Sequence, residues 1–183
     1  MRSIKAPDGA KMEAVASRRF VCLDNPEAVD ALRFRLNPDA ALKLVGLQVT
    51  PQSGVRTMAA DGAKLLCRNV EFSAGQRFQF AWNFMSWGDM PWNDFATFRA
   101  VPSAPQAYGR SVVLADLAGL ARANSRTTGW RFATWTVSAP FSGTLEWTVA
   151  NGQTVTDPAL DEPNELAFTN PPALLIDDIR VLG

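Results

Sequence analysis

Carboxylates and tryptophans are the chemically capable side chains of this sequence, because histidine is absent. The 183 residues hold eighteen Lys plus Arg, eighteen Asp plus Glu, six Trp and two Cys. Without imidazole there is no Ser-His-Asp or Cys-His triad, no His-ligated zinc and no side chain that normally titrates near neutrality. The remaining chemistry concentrates in one stretch, Trp87-Gly88-Asp89-Met90-Pro91-Trp92-Asn93-Asp94. Aromatic faces beside amide and carboxylate groups suit sugar binding, since ring faces stack on C–H faces while polar groups take the hydroxyls. The same mix suits a protein interface, where Trp and Met are enriched. A third reading folds the tryptophans back to plug the end of a core. Trp87, Asp89, Met90, Trp92 and Asn93 are therefore the candidate ligand or interface residues.

Paired carboxylates can hydrolyse glycosides with no histidine. The clusters available are Asp89 with Asp94, and Asp157, Asp161 and Glu162. The second cluster sits in a Pro-rich acidic stretch that reads as a solvated loop. No Gly-rich phosphate loop or dinucleotide fingerprint is present. The expectation is a protein that recognises rather than catalyses.

The formal net charge is zero, but it is unevenly spread. Residues 1–83 carry twelve basic and eight acidic side chains, and residues 84–183 carry six and ten. Arginine makes up fourteen of the cations, scattered apart from Arg18-Arg19, so no basic stripe of the kind that binds nucleic acid is expected. The longest aliphatic run, Ala173-Leu174-Leu175-Ile176, is far too short to span a bilayer. Cys22 and Cys67 have no partners at metal-ligand spacing, and one disulfide or two buried free thiols both fit. Residues 1–9 hold no apolar run of signal-peptide type. The expected settings are the cytoplasm, a particle released by lysis, or a domain excised from an exported protein.

The elements that must position these groups read mostly as strands. Residues 1–19 look like an extended arm with a Pro7-Asp8-Gly9 turn. Asn37-Pro38-Asp39 is a cap, first-turn proline and dipole acid ahead of an apolar run, which predicts a short helix ending at Gly46; Asn25-Pro26-Glu27 could start another. Phe78, Phe80, Trp82 and Phe84 alternate with Gln79, Ala81 and Asn83, which predicts a half-buried strand. Ser73-Ala74-Gly75-Gln76 predicts a hairpin turn joining residues 65–72 to 77–84. Further strands are expected at 95–101, 130–137, 144–149 and 174–182, separated by Gly and Pro punctuation. Residues 111–123 are ambiguous, since Ser111–Ala115 suits a strand while Leu114, Leu117 and Ala121 sit at helical spacing. Trp82, Trp130, Trp135 and Trp147 fall in strand patterns and are expected in or beside the core.

The order of several motifs resembles a bacterial surface-protein pattern. The alternating aromatics of residues 78–84 are followed by Gly88-Asp89, then Asn93-Asp94-Phe95-Ala96, Thr128-Gly129-Trp130 and Leu175-Ile176-Asp177-Asp178-Ile179. Ala60-Asp61-Gly62-Ala63 and the Ser73-Ala74-Gly75 turn also fit. The run over about residues 40–183 is similar to the lectin-like, galactose-binding-like jelly-roll domains of bacterial adhesins and exoproteins. That resemblance implies an all-β antiparallel β-sandwich of jelly-roll type; with the capped runs above adding one or two short helices, the domain is expected to start near Phe20 and span residues 20–183 behind the 1–19 arm. It also implies a structural calcium, with Asp94, Asp177 and Asp178 as the metal candidates. Two roles follow. The first is an assembly component of a particle such as a phage virion, decoration or tail-associated, with other protein subunits in a homo- or hetero-oligomer as partners. The alternative is a lectin-like carbohydrate-binding module of an adhesin, with a glycan as partner. The address expected for either is a virion or an extracellular surface.

Overall fold

The computed structural model describes residues 21–24, 47–105, 109–154 and 172–182. The 1–19 arm, the helices expected from Asn25 and Asn37, and the acidic stretch around Asp157 lie outside the described residues.

Nine strands and one short helix make up the rest. They are β1 (Val21–Asp24), β2 (Gln48–Val49), β3 (Thr57–Phe72), β4 (Arg77–Met85), β5 (Phe95–Pro102), β6 (Arg110–Asp116), α1 (Leu117–Arg122), β7 (Arg131–Thr136), β8 (Phe141–Thr154) and β9 (Ala173–Leu182). The strands form two antiparallel sheets, β1-β9-β4-β7 and β2-β3-β8-β5-β6. With the two-residue β2 set aside, the first strand pairs with the last and the pairing nests inward: β1 with β9, β3 with β8, β4 with β7, β5 with β6. This is a long hairpin folded over itself into two sheets, the connectivity of a jelly roll. The all-β sandwich expected from the strand pattern is the fold of the chain.

Alternation builds the core. Phe78, Phe80, Trp82 and Phe84 of β4 face Ala96, Phe98 and Ala100 of β5 and Leu145, Trp147 and Val149 of β8 in one buried cluster. Phe80 is its centre, with ring centroids 4.8 Å from Phe98 and 5.4 Å from Trp147. Trp82 and Trp147 are core residues as expected, and Trp130 and Trp135 are half-buried.

Three expectations need correction. Residues 65–72 and 77–84 are strands, but they are not a hairpin. β3 pairs with β8 in one sheet while β4 pairs with β7 and β9 in the other, so the Ser73-to-Gln76 turn crosses between layers. A turn signal fixes where a chain reverses, not which sheet it re-enters. Likewise β4 is half-buried only at its start, since Ala81, Asn83 and Met85 on its other face are buried too. There the segment after α1 runs beside β4, with the Thr127 and Thr128 hydroxyls donating to Asn83 Oδ1 at 2.8 and 3.2 Å. The ambiguous 111–123 stretch is both things in turn: β6, then α1, with Asp116 as the helix N-cap. Cys67, expected buried or bridged, is an exposed free thiol just before the β-bulge between Cys67 and Val70. The side chain of Cys22 lies outside the described residues.

Truncating the central ring tests this core directly. Phe80→Ala should cost about 3–5 kcal/mol in urea denaturation, the usual loss for a buried aromatic in a close-packed site. A loss under about 1 kcal/mol would mean the two sheets do not meet there.

Candidate functional site

The 87–94 loop joins the end of β4 to the start of β5, and so crosses from one sheet to the other at one end of the sandwich. A loop at that place would ordinarily be mobile. Here its base is a buried polar cluster that fixes it at Gly88, Asn93 and Asp94.

Asn93 is fully buried and works through its whole side chain. Its amide donates to Thr57 Oγ1 at 2.6 Å and to Asp116 Oδ2 at 3.1 Å, while its oxygen accepts the Ala118 N–H at 2.7 Å. One residue thus ties the loop to β3, to the end of β6 and to the first turn of α1. Asp116 in turn accepts from the Ser53 hydroxyl and from the Gly119 N–H at 3.3 Å. Asp94 is buried as well; it accepts the Ser86 hydroxyl at 2.6 Å and the Gly152 N–H at 3.4 Å. Burying carboxylates and an amide is costly unless they are hydrogen-bonded, and these are.

Two glycines let the backbone come this close. A Cβ on Gly152 would stand 2.1 Å from the Asn93 carbonyl oxygen, and one on Gly88 would stand 2.8 Å from Asp94 Oδ2. The Gly88-Asp89 pair in the sequence therefore reflects packing against Asp94 as well as a turn.

Above this base the loop closes with a Trp92 N–H to Asp89 carbonyl bond of 3.0 Å, around a cis Met90–Pro91 peptide. The Pro91 carbonyl accepts both the N–H and the hydroxyl of Thr154, at 3.0 and 2.7 Å. From the opposite side comes Arg126, whose guanidinium donates to the Gly88 carbonyl and to Asp89 Oδ1, the latter at 2.6 Å. Trp87 is 37% exposed and Met90 44%, and the Asp89 side chain is 76% exposed beside them. Trp92 is half-buried.

So the structure leaves four of the five candidate ligand residues at least partly exposed on this loop: Trp87, Asp89, Met90 and, in part, Trp92. Asn93 is corrected to a positioning residue beneath them, because its three hydrogen bonds consume it out of reach of solvent. The plug reading does not describe Trp87, which stands outside the core. Arg126, Ser86, Asp116 and Thr57 were not singled out from sequence. Asp116 had a signal, a capping residue ahead of helical spacing; Arg126 had none, lying 37 residues from Asp89 in an unremarkable loop.

The three metal candidates do not converge. Asp94 is held at Ser86, whereas Asp177 pairs with Ala81, five residues back along β4 and about 16 Å of strand away. Among the described residues no three acidic or thiol side chains come together as a cation site. Asp177 Oδ1 accepts the Asp178 N–H at 2.8 Å, and Asp178 forms an ion pair with Arg180 at 3.0 Å. Both sit at a bulge where Asp178 takes φ +49°, so their side chains serve a local kink in β9. Nor do Asp89 and Asp94 act as a pair, since one is paired to Arg126 at the surface and the other is bonded to Ser86 within.

No family model matches the sequence, and no curated protein matches it. Among solved structures, a chain described as "Family 16 Carbohydrate Binding Module-2" is similar with a TM-score of 0.39 at 6% identity, covering 70% of this chain and 76% of that one.

The two layers of the site should separate under mutation. Asn93→Ala leaves buried partners unsatisfied and should cost at least about 2 kcal/mol in urea denaturation. Asp89→Asn removes only an exposed ion pair and should stay within about 0.5 kcal/mol of the parent. Equal costs for the two would contradict the division into buried base and exposed face.

Proposed function

We propose that the protein is a non-catalytic, lectin-like carbohydrate-binding module of an extracellular surface, with Trp87, Asp89, Met90 and Arg126 as its sugar-contacting face. One observation carries the reading: an exposed indole stands two residues from Asp89, which is ion-paired to Arg126, on a loop clamped from below. A pyranose presents an apolar C–H face and a rim of hydroxyls. The indole of Trp87 supplies the stacking surface, Met90 extends it, and Asp89 with Arg126 supplies an acceptor and donors side by side. Because the loop is already ordered by Asn93, Asp94 and Thr154, binding pays little further entropy for closing it.

The adhesin-like setting follows from the same face and from the jelly-roll sandwich, a fold that serves lectins as well as particle shells. A particle role would lay the 1–19 arm on a neighbouring subunit, and that arm lies outside the described residues. No described helix is long and apolar enough to cross a membrane.

Glycan-array binding by the wild type, compared with Trp87→Ala, tests the proposal. The variant should melt at the parent temperature and lose at least tenfold in affinity for every glycan that binds. Silence of the wild type across neutral and acidic arrays would overturn it, as would undiminished binding by the variant.

A further inference from the structure

A second concavity lies on the other side of the buried network. It opens between the β6 edge of one sheet and the segment leading into β7 of the other, and holds about 180 Å³. Leu114, Ala115 and Leu120 give it an apolar wall; Ser53, Thr127 and Arg131 give it a polar one. A cavity of about 150 Å³ holds one benzene ring. This one is an open cleft, and a volume of that order seats one substituted six-membered ring whose remaining groups face the rim.

Its charges narrow the ring's chemistry. Arg131 is exposed at the rim, its Nε donating to the Thr128 carbonyl at 3.3 Å, and it has no carboxylate partner among the described residues. Arg126, beside the lining residue Thr127, is already paired with Asp89, and Arg122 at the end of α1 is not among the residues lining the cleft. At the opposite wall is Asp116, whose Oδ2 accepts from Ser53 and Asn93 while Oδ1 takes only the long Gly119 bond. A ligand seated here meets a free guanidinium on one side and a carboxylate oxygen with spare acceptor capacity on the other. An anion alone would be drawn to Arg131 but repelled by Asp116. A ring bearing a carboxylate at one end and hydroxyls at the other satisfies both.

We infer that this cleft is a subsite for one carboxylate-bearing pyranose, a hexuronate, with its carboxylate on Arg131, a hydroxyl on Asp116 and its C–H face on Leu114 and Leu120. The inference rests on the carbohydrate-binding reading and extends it to acidic glycans. The two sites are neighbours through one short segment: Arg126 holds the Trp87 loop, and the next residue, Thr127, lines the cleft. An acidic oligosaccharide can then place a ring on Trp87 and its uronate in the cleft. Linked sites of that kind gain affinity through effective concentration.

The test uses the full chain, ¹⁵N-labelled, titrated with D-galacturonic and D-glucuronic acid and with their neutral parents galactose and glucose. The acids should shift backbone resonances of Leu114, Ala115 and Thr127 saturably, and at least tenfold more weakly bound acid is expected in Arg131→Gln. Trp87→Ala should leave the acid titration unchanged. If Arg131→Gln binds the acids as the parent does, or if their shifts map to residues 87–92 instead, the cleft is not a uronate subsite. If neutral glycans bind through Trp87 while the acids shift nothing, the cleft inference falls and the loop reading stands. If the acids bind the cleft while Trp87→Ala has no effect on any glycan, the reverse holds.

Discussion

The side chain of Asn93 is the constraint on which the rest of this end of the molecule depends. A jelly roll must send its chain from sheet to sheet, and each crossing leaves backbone and polar groups to be satisfied at the ends of the sandwich. Here one buried amide satisfies a β3 hydroxyl, the carboxylate that ends β6 and the Ala118 N–H in the first turn of α1 together. Asp94 next to it does the same for Ser86 and for β8 at Gly152. Low dielectric makes such a network strong when complete and expensive when broken. Completeness is what turns a crossover loop into a fixed platform.

The proposed sugar-binding role rests on what that platform leaves over. Every polar atom spent below frees the residues above from structural duty. Trp87 and Met90 keep exposed apolar surface, and Asp89 and Arg126 keep exposed polar surface, in a geometry set before any ligand arrives. The same network forms the floor of the cleft beyond α1, through Asp116 and Ser53. One buried cluster therefore supports two faces of different character: an aromatic one over β4–β5 and an amphoteric one beside β6.

Much of the fold was legible in the sequence because it depends on a short period. Phe78, Phe80, Trp82 and Phe84 announce a strand and its core-facing side, and they pack in the central cluster. What the period cannot carry is pairing across the chain. Nothing near Gln76 says that β4 will pair with β7 and β9 rather than turn back on β3. The site was legible in the same measure. Trp87-Gly88-Asp89-Met90 stands out by composition, but the roles of its neighbours depend on partners far away: Thr57 for Asn93, Ser86 and Gly152 for Asp94, Arg126 for Asp89. Asp177 and Asp178 show the limit from the other direction, since a bulge in β9 gives them local partners that no alternation pattern encodes.

The indole N–H resonances offer the most direct measurement of the central claim, because the six tryptophans occupy different surroundings. Trp87 is exposed on the loop, while Trp82 and Trp147 are buried in the core. On titration with the oligosaccharide giving the strongest array signal, the Trp87 indole resonance should move saturably while those of Trp82 and Trp147 stay fixed. A saturable titration that leaves Trp87 unmoved would contradict the claim that this loop is where the protein meets sugar.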